Sequence, residues 1–190
     1  MKQISSFTDE SGQDVVSEWF TCATIVIKDN TELNEVRAIL RDIEYKSGKG
    51  QGKWSKAKRA RKESYIKEVI SKLSNTFTAF HSTTKKPCDI QALTIATICR
   101  AIAKTRPNIN THVDAWIDGL DTTTQDRYLQ IAKKQHGLKN TQFRKTHHHT
   151  DEITRLADAF ASMLREAKLN HINSIKIIKT LEQKGLLAEI

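Results

Sequence analysis

Proline and cysteine are both scarce in this 190-residue chain, and it has no long apolar run. Two prolines, Pro87 and Pro107, and only seven glycines leave no Pro-rich or Gly/Ser-rich linker, so one domain is the simplest organisation. No internal repeat is visible. The three cysteines, Cys22, Cys88 and Cys99, form neither a CxxC pair nor a metal-ligand spacing. Their odd number and apolar neighbours predict free thiols in a reducing compartment. No stretch approaches the ~18 apolar residues that span a bilayer. The opening MKQISSFTDE is too polar for a signal peptide, so a cytoplasmic protein is expected.

Positive charge, in contrast, is abundant. Lys and Arg outnumber Asp and Glu by 31 to 22, a formal net charge of +9. A basic surface recruits phosphate backbones by releasing condensed counterions, which points to nucleic acid as partner. Eight of the cations fall within residues 46–62, running from the loop KSGKGQGKW into a charged helix. A solvated face is the ordinary reading of such a run. With Trp54 available to stack a base, Lys53, Lys56, Lys58, Arg59 and Arg61 become candidate nucleic-acid contacts.

The hydrophobic pattern alternates strand and helix, which predicts an α/β fold with helices packed on a mixed or largely parallel sheet. ISSFTDE and the β-branched WFTCATIVI (19–27) read as strands. A helix follows from Thr31, its expected N-cap, with Leu33, Val36, Leu40 and Ile43 on one face. A second helix is expected over about 55–73, a strand at 76–84, and a helix apolar over most of its circumference at 89–104. NTHVDAWIDG (110–119) reads as a strand that places Asp114, Trp116 and Asp118 on one face. A polar helix at 122–136, an edge strand at 141–148, a helix at 152–167 capped by Asp151, and a C-terminal helix at about 172–187 complete the order. The C-terminal stripe Ile172, Ile175, Ile178, Leu181 is core or a homodimer face.

Carboxylates gather where packing does not ask for them. Asp9 and Glu10 close the first strand, Asp118 ends the fourth, and Asp158 lies inside a late helix beside Ala157, Ala159 and Ala161. If strands one and four are neighbours, Asp9 and Asp118 lie side by side, and a helix across that edge brings Asp158 to the same point. Three such acids repel one another unless a hard divalent cation joins them, and oxygen-only donors favour Mg²⁺ or Mn²⁺. Asp151 sits roughly 10.5 Å from Asp158 by helical rise, too far to share an ion, and is read as a cap.

FTDESG, the basic KW at 53–54, VDAWIDG and RLADAFASML resemble, in that order over residues 4–168, a bacterial RNase H-like family of unknown function, family 3800. The resemblance implies a ribonuclease H-like fold, a central five-stranded sheet flanked by helices, with a basic insertion at about 46–74. It implies a two-metal nuclease with Asp9, Asp118 and Asp158 as ligands, Glu10 as a neighbour in the site, and Lys53 set to meet substrate phosphate. One departure stands out. Ribonuclease H itself carries a glutamate in the helix after the third strand, where this chain has only Asp89 at the helix start. The layout is closer to Holliday-junction-resolvase-like members.

Other signals are weaker. GKGQGK fails the phosphate-loop pattern. His147–His149 forms no zinc spacing, although one of them, His149 by position, falls near the acid helix. Two rivals to the nuclease share its fold or its charge: a non-catalytic nucleic-acid-binding module, and a protein-interaction module of a defence or mobile-element system.

Overall fold

The computed structural model describes residues 3–14, 16–27, 29, 32–105 and 111–190. Its elements are β1 (Gln3–Ser11), β2 (Trp19–Ile27), α1 (Leu33–Lys46), a 3-10 turn (Trp54–Lys56), α2 (Arg59–Leu73), β3 (Phe77–Lys85) and α3 (Ile90–Thr105). β4 (His112–Asp118), α4 (Thr122–His136), β5 (Thr141–Thr146), α5 (Glu152–Lys168), α6 (Ile172–Gln183) and β6 (Leu187–Glu189) follow. The six strands form one mixed sheet in the order β5-β4-β1-β2-β3-β6. β1 to β3 are antiparallel, whereas β4 pairs parallel with β1 and with β5, and β6 pairs parallel with β3.

Side-chain alternation sorts each strand between two cores. Ile4 and Val26 face α3 and α4, with Val113, Ala115, Ile117 and Phe143. Phe7, Ile25 and Ile27 face the opposite layer of α1, α2, α5 and α6. Trp116 lies on that second face and stacks on Phe7 with ring centroids 6.2 Å apart. Asp9 and Asp118 keep the parity of Phe7 and Trp116, so both look toward α5.

The five expected strands and the helix order are present. A sixth strand, β6, extends the sheet where the sequence reading continued the C-terminal helix to about residue 187. Gly185, at φ +68°, turns the chain after α6, and the amide of Ala79 then donates to the Leu186 carbonyl. The expected N-cap Thr31 lies outside the described residues. The expected helix from residue 55 is divided: a 3-10 turn precedes α2, because Ala57 and Lys58 are extended.

The most enclosed helix is α5 rather than α3. α3 leaves Gln91, Ala92 and Arg100 exposed, while twelve residues of α5 are buried. Ala157, Ala159 and Ala161 let α5 approach the sheet, and the Thr21 hydroxyl on β2 donates to the Ala161 carbonyl at 2.8 Å. Asp151 caps α5 by accepting from the amides of Ile153 and Thr154. α6 turns Ile178 and Leu181 of its apolar stripe into the core and leaves Ile172 exposed. Among the described residues no helix is long and apolar enough to cross a membrane.

Candidate active site

The last paired residues of β1 and β4 are Thr8 and Ile117, so Asp9 and Asp118 come next on adjacent parallel strands. α5 crosses β1 and β2 and delivers Asp158 to the same edge. Both of the other carboxylates are close enough to act on Asp9 electrostatically. Asp9 is pushed well above the usual carboxylate range by burial first, then by the negative charges of Asp118 and Asp158, against one hydrogen bond from the Glu10 amide.

Glu10 obeys the alternation and points to the other face. Its carboxylate accepts from Thr94 on α3 and from Gln13. Burial raises its pKa, those two hydrogen bonds oppose the rise, and Asp118 adds to it. Glu10 therefore feels the site without joining the Asp9 side of the sheet.

Asp118 and Asp158 are each held by donors from loops. Asp118 accepts from the His148 amide at 3.0 Å through Oδ1 and meets His148 Nδ1 at 3.0 Å through Oδ2. Asp158 Oδ2 accepts from the Trp54 amide at 2.9 Å, and Oδ1 from the Ser162 hydroxyl at 3.3 Å. The histidines at the acid edge are thus His148 and, 3.9 Å from Asp118, His147, rather than His149. Residues 147–150 form a turn instead of a strand end, which leaves His149 exposed and stacked on His147.

The donor chemistry, three carboxylates and no sulfur, fits a hard divalent cation. The arrangement as it stands is looser: among the described residues no group of three or more His, Cys, Asp or Glu side chains is set to hold a metal ion. Both loop-tied acids keep their oxygens on N–H and O–H donors.

The basic segment divides by burial. Lys53, Lys56, Lys58 and Arg61 are exposed, and no ion pair is seen for them among the described residues. Arg59 is exposed but paired with Glu63 at 2.8 Å and bonded to Asn173. Trp54 is not available for base stacking. It is 1% exposed, packed edge-on to Tyr65 with Lys62 over its ring, because the 3-10 turn folds it into the core beneath α5. Its contribution to the site is its backbone N–H.

The sequence reading passed over a cluster of buried charge behind the acids. Glu44 on α1 receives a bidentate contact from Arg155 on α5, at 2.6 and 2.8 Å. Lys49 Nζ lies 3.7 Å from Glu44 and donates to the carbonyls of Gly50 and Gly52. Burial lowers the Lys49 pKa, with Glu44 opposing it. One signal was legible. Glu44 occupies a stripe position of α1, eight residues after Val36 and beside Ile43, where a charge demands a buried partner.

No protein-family model matches the chain, and neither does any curated protein sequence. Solved structures do. Ribonuclease HII of Archaeoglobus fulgidus, determined in a complex with PCNA, superposes over 96% of this chain and 78% of its own, with TM-score 0.58 and 15% identity. Ribonuclease H2 of Pyrococcus horikoshii OT3 gives the same coverage and TM-score at 17% identity. The fold is ribonuclease H-like. Bst-RNase HIII, determined with Mn²⁺, aligns over 85% of this chain and 51% of its own, with TM-score 0.52 and 12% identity. Within this ribonuclease H-like sheet, Asp9 and Asp118 occupy the ends of adjacent parallel strands.

Proposed function

We propose that this chain is a Mg²⁺- or Mn²⁺-dependent nuclease, related to the RNase H-like family 3800 that its motifs resemble and working in the cytoplasm. What supports the reading is the placement of Asp9 and Asp118 at the ends of adjacent parallel strands, with the charge of Asp158 on α5 also acting on Asp9. Asp9 is destabilised as an anion by Asp118 and Asp158, an arrangement that costs folding free energy and that a bound cation relieves. Asp9, Asp118 and Asp158 would hold the metal, which supplies a hydroxide nucleophile and neutralises charge on the scissile phosphate. Lys53 directly precedes the residue whose N–H holds Asp158, so it stands beside the acid edge. With Lys56, Lys58 and Arg61 it grips the phosphate backbone, while His148 and the Trp54 amide orient Asp118 and Asp158.

Labelled DNA, RNA and hybrid substrates incubated with Mg²⁺, Mn²⁺ or EDTA test the reading. Cleavage is expected with a divalent cation and absent in EDTA, and Asp9→Asn or Asp158→Asn abolishes it while the far-UV circular dichroism is unchanged. Mn²⁺ is expected to raise the melting temperature of the wild type and not of Asp9→Asn. Full Mn²⁺-dependent cleavage by either purified variant overturns the assignment.

One observation favours a second reading, a nucleic-acid-binding module without catalysis. Both oxygens of Asp118 and of Asp158 already meet donors from the protein. Salt-sensitive binding that survives EDTA and Asp9→Asn, with no cleavage of any substrate, would establish it.

A further inference from the structure

The two loop-tied acids draw their donors from loops far apart in sequence, and both loops are anchored to one side chain. Glu44 has its carboxylate 3% exposed at the end of α1. On one side, Arg155, 2% exposed, binds both Glu44 oxygens and donates through Nη1 to the His148 carbonyl at 3.0 Å. The same residue, His148, donates its amide to Asp118.

On the other side, the Lys49 side chain is fully buried against Glu44 and the Tyr65 ring. It donates to the carbonyls of Gly50 and Gly52, and the Gly50 amide bonds the Glu44 carbonyl. That loop runs directly to Trp54, whose amide donates to Asp158.

We infer that Glu44 is a positioning residue, the common anchor through which the 147–151 turn and the 49–54 loop present their donors to Asp118 and Asp158. Buried charge is expensive, and an apolar residue would fill this space at lower cost unless the charges fix a geometry. Glu44 has the two properties such an anchor needs. It accepts from a planar guanidinium in a fixed bidentate pose, and it meets an ammonium whose remaining bonds all go to loop carbonyls. Glu152 supports the arrangement from α5 at 3.5 Å from Arg155, and Arg41 pairs with Glu152 in turn. That Asp118 and Asp158 are the acids of a nuclease rests on the function proposed above, whereas the anchoring itself does not.

Native-state amide hydrogen exchange separates the two questions, because it requires no substrate and no metal. The readout is protection at the Trp54 and His148 amides relative to the β1 and β2 amides of Phe7 and Ile25. Glu44→Asp keeps the charge and withdraws its reach, and is expected to lower protection at both Trp54 and His148 at least tenfold relative to those strand amides. Arg155→Lys is expected to affect His148 alone and Lys49→Met to affect Trp54 alone. A uniform loss across all four amides in Glu44→Asp, or no change at Trp54 and His148, overturns the inference. If the site-specific loss is seen but no wild-type substrate is cleaved, the anchoring stands and the nuclease reading fails.

Discussion

At the scale of the residue, Asp9 is where burial and neighbouring charge act against an ionised carboxylate. Its carboxyl is raised by burial and by Asp118 and Asp158, so the fold favours its protonated form. For a group raised in the folded state, that stabilisation is full below the ordinary carboxylate value near ~3.9 and is lost as pH climbs through the folded value. Asp9→Asn does not titrate. In EDTA at pH 7 it is therefore expected to melt above the wild type, by about 2–4 °C for each kcal/mol of repulsion relieved in a chain of this size. The gap should close as pH falls toward 4, and Mn²⁺ should close it at pH 7 by stabilising only the wild type. Calorimetry at several pH values checks this, and a pH-independent deficit in Asp9→Asn contradicts it. The three acids were legible because acidic residues at strand ends and beside helix alanines are chemically out of place. Glu44 left one trace, its stripe position in α1, but its partner Arg155 left none, because in one dimension it is an ordinary charged residue of an amphipathic helix.

Elements explain why the acids are followed by Ser-Gly. Gly12 has φ +85°, and a Cβ there would lie 2.0 Å from the Trp19 carbonyl oxygen, where β1 gives way to the turn into β2. Gly119, after Asp118, also has positive φ, +65°, but a Cβ there meets nothing within 4 Å. Gly119→Ala is therefore expected to cost only the left-handed backbone penalty, about 1–2 kcal/mol. Gly12→Ala should cost more than that, since the backbone of β2 must also move. Urea denaturation of the two variants measures the order, and equal losses would contradict it. Helix periodicity located α5 but underrated its enclosure. Arg155, Glu152 and Thr154 are buried although polar, because α1 covers the side of α5 that a two-layer picture leaves to solvent. The reverse error occurred at Trp54, whose neighbours are charged and exposed while the ring itself enters the core.

For the whole molecule, a net charge of +9 is spent unevenly. Lys46, Arg59 and Lys62 pair with acids on their own surface, and Lys49 is buried, whereas Lys53, Lys56, Lys58 and Arg61 stay exposed. Counterion release then makes a quantitative prediction. The plot of log Kobs against log salt for a nucleic-acid duplex should lose about 0.9 in slope for each phosphate contact removed. Lys56→Ala with Lys58→Ala should thus flatten it by about 2, whereas Arg59→Ala, already compensated by Glu63, should change it less. Fluorescence anisotropy over a salt series reads the slopes, and equal effects would mean that the exposed group is not the contact surface.

The sequence by itself determined the alternation of strands and helices, the basic segment and the positions of the three acids. Local periodicity and residue chemistry are properties of neighbouring positions, and they survive in one dimension. The tertiary structure alone decided the sixth strand, the inward turn of Trp54, the placing of His147 and His148 rather than His149 beside Asp118, and the shared anchor at Glu44. Each depends on which surfaces meet across the sheet and on α5, residues from 30 to 111 positions apart whose pairing is set by packing and buried charge rather than by spacing along the chain.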